Sequence, residues 1–287
     1  MVLESLTTPE KAEKSPWDLF FIGALYAAVG VFLSVWVFRE ESSIIMILLT
    51  VIACIPLVHN TMRYEEEKDI AIFKESILLK EHWKALSFFM CMFVGFVFAF
   101  SLAYIILPEQ LVSDLFSAQV NTIQNINSNA IGGTLKATSV GRELFMQILS
   151  NNLKVMLFCV FFSFFYGAGA IFILTWNASV ISAAIGSFFR NGISYYAENF
   201  GLSKMAGYFH IYGLSLARYF IHGIPEILGY FIGGLAGGII SVAVIRHDFG
   251  SKTFKHIVSD SFDLIFLAAI VLIIAAFLEV YITPLFF

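Results

Sequence analysis

The stretch HGIPEILGYFIGGLAGGIISVAVI, His222 to Ile245, is apolar and glycine-rich, and it carries one histidine and one glutamate four residues apart at its head. A helix needs about 20 mostly apolar residues to cross the hydrocarbon core, and this stretch is long enough. Proline at the first helical turn and glutamate near the positive end of the helix dipole make an ordinary helix start. Gly229, Gly233 and Gly237 recur every four residues, a spacing that lets helix backbones approach closely in lipid. At 100° per residue Glu226, Gly233 and Gly237 share a face within about 20°, and His222 lies about 40° away. The ionisable pair therefore sits above the packing face.

Composition extends this reading to the whole chain. Of 287 residues, 59% are hydrophobic and 13% charged, and mean hydropathy is +0.84. That is about half the charged share of a soluble domain, so the class is a polytopic membrane protein, all-α by the rules of the bilayer. Net charge of -4 does not suggest nucleic acid. Cys54, Cys91 and Cys159 fall inside apolar runs and give neither a disulfide framework nor metal spacing. No metal or cofactor is expected. Residues 1–15 are polar and the first apolar run is too long for a signal peptide, so none is expected.

Seven spans are read from the apolar runs: Trp17–Phe38, Ile44–His59, Ala85–Leu107, Leu153–Trp176, Ala178–Phe189, His222–Ile245 and Phe262–Thr283. The segment Met205–Ile221 reads as one further interfacial or re-entrant helix, cut off by Gly223 and Pro225. Asn60–Lys84 reads as a charged cytoplasmic extension of helices lying on the inner surface, with Ile70, Phe73, Ile77 and Leu78 as its apolar stripe. The polar segment Pro108–Gly141 faces the other side, as a loop with some helix of its own.

Basic residues set the orientation. Lys11, Lys14, Arg63, Lys68, Lys74, Lys80, Lys84, Arg246, Lys252 and Lys255 share one side, against Arg39, Lys136, Arg142, Arg190 and Lys204 on the other. This bias places the amino terminus in the cytoplasm and the carboxy terminus outside, in the cell membrane. In that topology Asn151, Asn152, Lys154, Arg218, His222, Glu226 and Glu279 all lie toward the outer face. A charge at a span's centre costs roughly 2.5–3.5 kcal/mol, and charges in membranes survive when paired. Lys154 and Arg218 are therefore expected to pair with Glu226 and Glu279 in a polar intramembrane cluster. Asn177, between the fourth and fifth spans, is expected to cap the next helix.

The stretches ELFMQILSNNLKVMLFCVFFSFFYGAGAIFILTWNA and YFIHGIPEILGYFIGGLAGG resemble the stage II sporulation protein M family of integral membrane proteins. Asn151, Asn152, Gly167, Asn177, His222, Gly223, Glu226 and Gly237 carry the resemblance, over about residues 85–283. Pro225 and the aromatic segment YFHIYG depart from the pattern. The resemblance implies a five-span membrane domain at 85–287, preceded by a two-span extension at 1–84. It implies a protein of the cell membrane that, in spore formers, acts beside cell-wall-degrading partners, with no settled catalytic activity. No nucleophile elbow, zinc-protease HExxH or phosphate-binding glycine loop occurs. The expectation is a non-enzymatic scaffold or assembly component, with the bilayer and either envelope proteins or a second copy as partners. The alternative is a permease with a polar site around His222 and Glu226. An intramembrane enzyme using His222 and Glu226 stands last.

Overall fold

The computed structural model describes residues 8–72, 75–131, 137–166, 170–193, 202–246 and 251–285. All regular structure among them is helical. A short α1 (Pro9–Lys14) precedes α2 (Pro16–Val37), α3 (Ser42–Ala71) and α4 (Glu75–Ile106). Two small helices follow, α5 (Glu109–Leu115) and α6 (Ser117–Ile131). Then come α7 (Ala137–Tyr166), α8 (Ala170–Ile193), α9 (Leu202–Arg246) and α10 (Lys252–Phe277). A π-helical turn, Leu278–Ile282, and a 3-10 turn, Thr283–Leu285, continue α10. Among the described residues seven helices are long and apolar enough to cross a membrane: α2, α3, α4, α7, α8, α9 and α10. The protein is an all-α polytopic membrane bundle.

Three boundaries differ from the sequence reading. Met205–Ile221 is no separate interfacial or re-entrant element, because α9 runs unbroken for 45 residues through Gly223 and Pro225. At 1.5 Å per residue that is about 67 Å, more than twice the hydrocarbon thickness. A proline removes one backbone donor, which a tightly packed helix in a bundle tolerates. The turn between the fourth and fifth spans falls between Tyr166 and Ala170, so Asn177 stands inside α8. There its Nδ2 donates to the Ile173 carbonyl at 2.8 Å, a contact within the helix instead of a cap at its start. Gly167 and Gly169 lie outside the described residues. Finally, α3 continues beyond its apolar run to Ala71, and α4 begins ten residues before Ala85. The charged segment thus folds into the bundle instead of lying flat on a surface.

The core is built on α9. Its apolar window is 83% buried, against 17% for α7 and 22% for α10, whose outer faces are left to lipid. Glycine makes this possible. A Cβ at Gly237 would stand 2.9 Å from Val160 Cα on α7, and one at Gly233 the same distance from Met156 Cγ. Gly229 faces Leu272 on α10 instead, and Gly234 faces Ala170 on α8. The glycines thus serve three neighbours, and α9 becomes the hub. A second close approach joins α2 to α4, where Gly23 lies on the Met92 carbonyl and Gly95 on the Phe20 carbonyl. The two added helices therefore pack directly on the rest of the bundle.

The end of the bundle holding the α2–α3 turn is closed by α6. Gln119, fully buried, accepts from Ser43 Oγ at 2.9 Å and donates to Ser179 Oγ at 3.1 Å, tying α6 to α3 and α8. Arg190 donates to the Leu107 carbonyl just past the end of α4 and lies over the Tyr104 ring. Such a cation satisfies carbonyls that a helix end leaves unpaired.

Candidate functional site: a buried charge cluster at the basic end

The opposite end, where α3 meets α4 and α9 meets α10, holds the densest group of charges. Helical periodicity puts it there. Cys54, Val58, Thr61, Glu65 and Asp69 recur at spacings of four, three, four and four, and every one of them is buried. The buried stripe of α3 simply runs on into acidic residues. His82, 1% exposed on α4, reaches across to meet them.

The geometry is close. Glu65 accepts at Oε1 from Lys68 Nζ at 2.7 Å and faces His82 Nδ1 with Oε2 at 2.7 Å. The other ring nitrogen of His82 lies 3.0 Å from Asp69 Oδ1, although that contact is not aligned as a hydrogen bond. With a carboxylate at each nitrogen, the ring serves both only as the imidazolium, which carries two N–H donors. Lys68 also donates to Glu13 of α1 at 2.6 Å and lies 4.5 Å from the centre of the Tyr64 ring. Beside this group Arg246, the last residue of α9, donates to the fully buried Glu66 at 2.6 Å. A cation at the end of a helix also suits its dipole.

Burial pushes the Glu13 carboxyl up to about 7, with Glu65 adding to the effect and the Lys68 hydrogen bond opposing it. Taken together, these contacts fasten α1, α3, α4 and α9 to one another. Ion pairs out of water bind strongly only when geometry and hydrogen bonding are complete, and losing one partner leaves a stranded charge. Among the described residues no group of three or more His, Cys, Asp or Glu is placed to hold a metal ion.

The polar residues expected near the other end come together in part. His222 Nδ1 lies 3.2 Å from Thr283 Oγ1, and the Thr283 hydroxyl donates to the Leu278 carbonyl. Tyr230 donates to Glu226 Oε1 at 2.6 Å. Glu279, in the π-helical turn, stands four residues before Thr283 as Glu226 stands four after His222, which brings the two carboxyl groups to the same level. Asn151 and Lys154 are exposed on α7, and Asn152 is buried with no hydrogen-bond partner for its Nδ2. Lys154 forms no ion pair with Glu226 or Glu279 among the described residues, contrary to the expected pairing. Its long side chain is left at the lipid-facing surface of the most exposed span. The Arg218 side chain lies outside the described residues.

The sequence reading missed Glu65, Asp69 and His82. Their signal was the unbroken 3.6-residue period of α3, which the change from apolar to charged residues concealed.

A family model for stage II sporulation protein M matches residues 85–284. No curated protein matches the chain, and no solved structure does.

Proposed function

The chain belongs to the stage II sporulation protein M family, and on that footing we propose that it is a non-enzymatic membrane scaffold, an assembly component of an envelope complex. The observation that supports this reading is the packing of α9. The helix that carries His222 and Glu226 is the most buried of the spans, filled against α7, α8 and α10 by glycines at van der Waals limits. Three large cavities among the described residues lie toward the ends of the bundle, and Glu226 lines none of these three. Such a solid centre suits a protein that holds partners through its outer faces. Envelope proteins or a second copy would then lie against α2, α7 and α10, whose exposed sides are aromatic and aliphatic. The excess of basic residues at the α3–α4 end orients that end to the cytoplasm, with the carboxy terminus outside.

A permease is the second reading, favoured by two neighbouring carboxylates, Glu226 and Glu279, beside a π-helical turn. One experiment separates the two. Single cysteines along 226–242, introduced into a chain freed of Cys54, Cys91 and Cys159, are treated with a water-soluble thiol reagent in native membranes. A scaffold leaves them unlabelled and is recovered with partners in fixed stoichiometry. A periodic labelled stripe reaching Glu226 establishes the permease and removes the scaffold. Labelling of Lys80→Cys and Glu40→Cys from opposite sides tests the orientation.

A further inference from the structure

Residues of α4 and α10 line a cleft of about 490 Å³ at this end of the bundle, a size typical of small-molecule sites. Leu79 from α4 and Leu264 and Leu267 from α10 give it apolar walls. His82 lies at its floor, and Asp260 and Asp263 line its α10 side.

Charge and depth identify the ligand. The charge of His82 is answered from behind by Glu65 and Asp69, which leaves the two aspartates to set the sign of the cleft. On α10 itself, His256 Nε2 stands 3.5 Å from Asp260 Oδ2, one turn away. Asp260, though only 9% exposed, is thus a carboxylate held in an apolar-walled recess. No metal cluster is formed among the described residues. Both walls also sit at one depth. His82 stands three residues before Ala85, where the apolar run of α4 begins, and Asp260 and Asp263 flank Phe262, where that of α10 begins. Both helices enter the bilayer from this end, so the carboxylates lie at headgroup level, with Leu264 and Leu267 just below them on α10.

We propose that this cleft binds the primary-ammonium headgroup of a membrane phospholipid, with Asp260 and Asp263 accepting from the ammonium and Leu264 and Leu267 taking the upper acyl chain. A primary ammonium offers three donors to carboxylates, whereas a quaternary one offers none. The inference is independent of the assembly role.

The test is native mass spectrometry of the full chain with palmitoyl-oleoyl phosphatidylethanolamine, phosphatidylcholine and phosphatidylglycerol at equal concentration. Phosphatidylethanolamine is expected to be retained roughly tenfold over the other two, the scale of charge-assisted hydrogen bonds. The double variant Asp260→Asn, Asp263→Asn brings it down to the phosphatidylcholine level. Leu267→Trp, which fills the cleft without changing charge, lowers it as well, and Glu40→Gln leaves it unchanged. Melting temperature and size-exclusion profile accompany each variant, and Leu267→Trp serves where the double variant does not fold. Equal retention of the three lipids overturns the proposal, as does retention indifferent to both cleft variants. Spermidine displacing a bound species while phosphatidylethanolamine does not bind also overturns it in favour of a free amine. Co-purification of a protein whose basic residue crosslinks to Asp263, with no lipid retained, overturns it in favour of a docked partner.

Discussion

Arg246 at the end of α9 and Glu66 near the end of α3 meet at 2.6 Å across 180 residues of sequence. The carboxylate is fully buried and the guanidinium about one-third exposed. The pair ties the second span to the sixth, and so joins the amino-terminal extension to the region that the family model matches. Arg246→Ala removes the guanidinium that answers the buried Glu66. It should lower stability by about 1–3 kcal/mol, less than for a fully buried pair because the arginine is partly solvated. Glu66→Gln should cost less than Arg246→Ala, since it removes the charge that needs answering. Thermal unfolding in mild detergent, run as a double-mutant cycle, measures the coupling. A coupling near zero sinks the claim that the pair joins the two regions.

His82 has a carboxylate at each ring nitrogen. His82→Ala leaves Glu65 and Asp69 buried with less compensation, and the loss should be about 3 kcal/mol or more. Adding Glu65→Gln and Asp69→Asn to His82→Ala should restore part of that loss, because neutral amides bear burial better than charges. Denaturation in urea with a constant detergent concentration compares the two. If the triple variant is less stable than the single one, the charges are not what His82 serves.

Gly237 and Gly223 lie fourteen residues apart on one helix and should respond oppositely to alanine. A Cβ at Gly237 meets the Val160 backbone, which cannot rotate aside, so Gly237→Ala should cost about 1–3 kcal/mol by overpacking. At Gly223 nothing lies within 4 Å of an added Cβ. Gly223→Ala should therefore be neutral within about 0.5 kcal/mol or slightly stabilising. Melting temperatures of the two variants in one detergent decide it, and equal sensitivity would contradict the close approach of α9 to α7.

The docking of α1 should depend on pH. In the folded chain the Glu13 carboxyl is held at about 7 against an ordinary 4.5, so the folded state keeps a proton that the undocked state has lost. Stability from this group is complete below the ordinary value and falls as pH rises toward and through 7. A spin label at Lys14→Cys, on the exposed side of α1, should become more mobile between about pH 5 and pH 8. With Glu13→Gln the same label should show little change. A mobility change identical in both chains would assign the effect to another group.

Lys154→Ala should leave stability within about 0.5 kcal/mol of the parent, and exchanging the charges of Lys154 and Glu226 should not restore a Glu226→Lys loss. Tyr230→Phe, by contrast, removes the donor 2.6 Å from Glu226 and should cost about 1–2 kcal/mol. Unfolding midpoints of the four variants provide the check. A successful charge exchange would place Lys154 beside Glu226 after all.

The spans, their number and the all-α class were legible because they follow from local composition: a run of some 20 apolar residues has to satisfy its backbone within itself once it is in lipid. Family membership was legible for a similar reason, since Asn151, His222, Gly223 and Glu226 stand in a readable pattern. The buried face of α3 was also written in the chain, in the period that carries Cys54 and Val58 on to Glu65 and Asp69. Tertiary structure decided the rest. Whether Met205–Ile221 breaks from the sixth span depends on how its neighbours support Pro225, and no local residue reports that. Whether a charged residue lies in water or in the core depends on which distant helix answers it. His82 and Arg246 do so for Glu65 and Glu66, while Lys154, well matched by charge and depth, faces away from Glu226. Charge type and depth can be read along one chain, but the direction in which a side chain points is fixed only when the helices rotate against one another and pack.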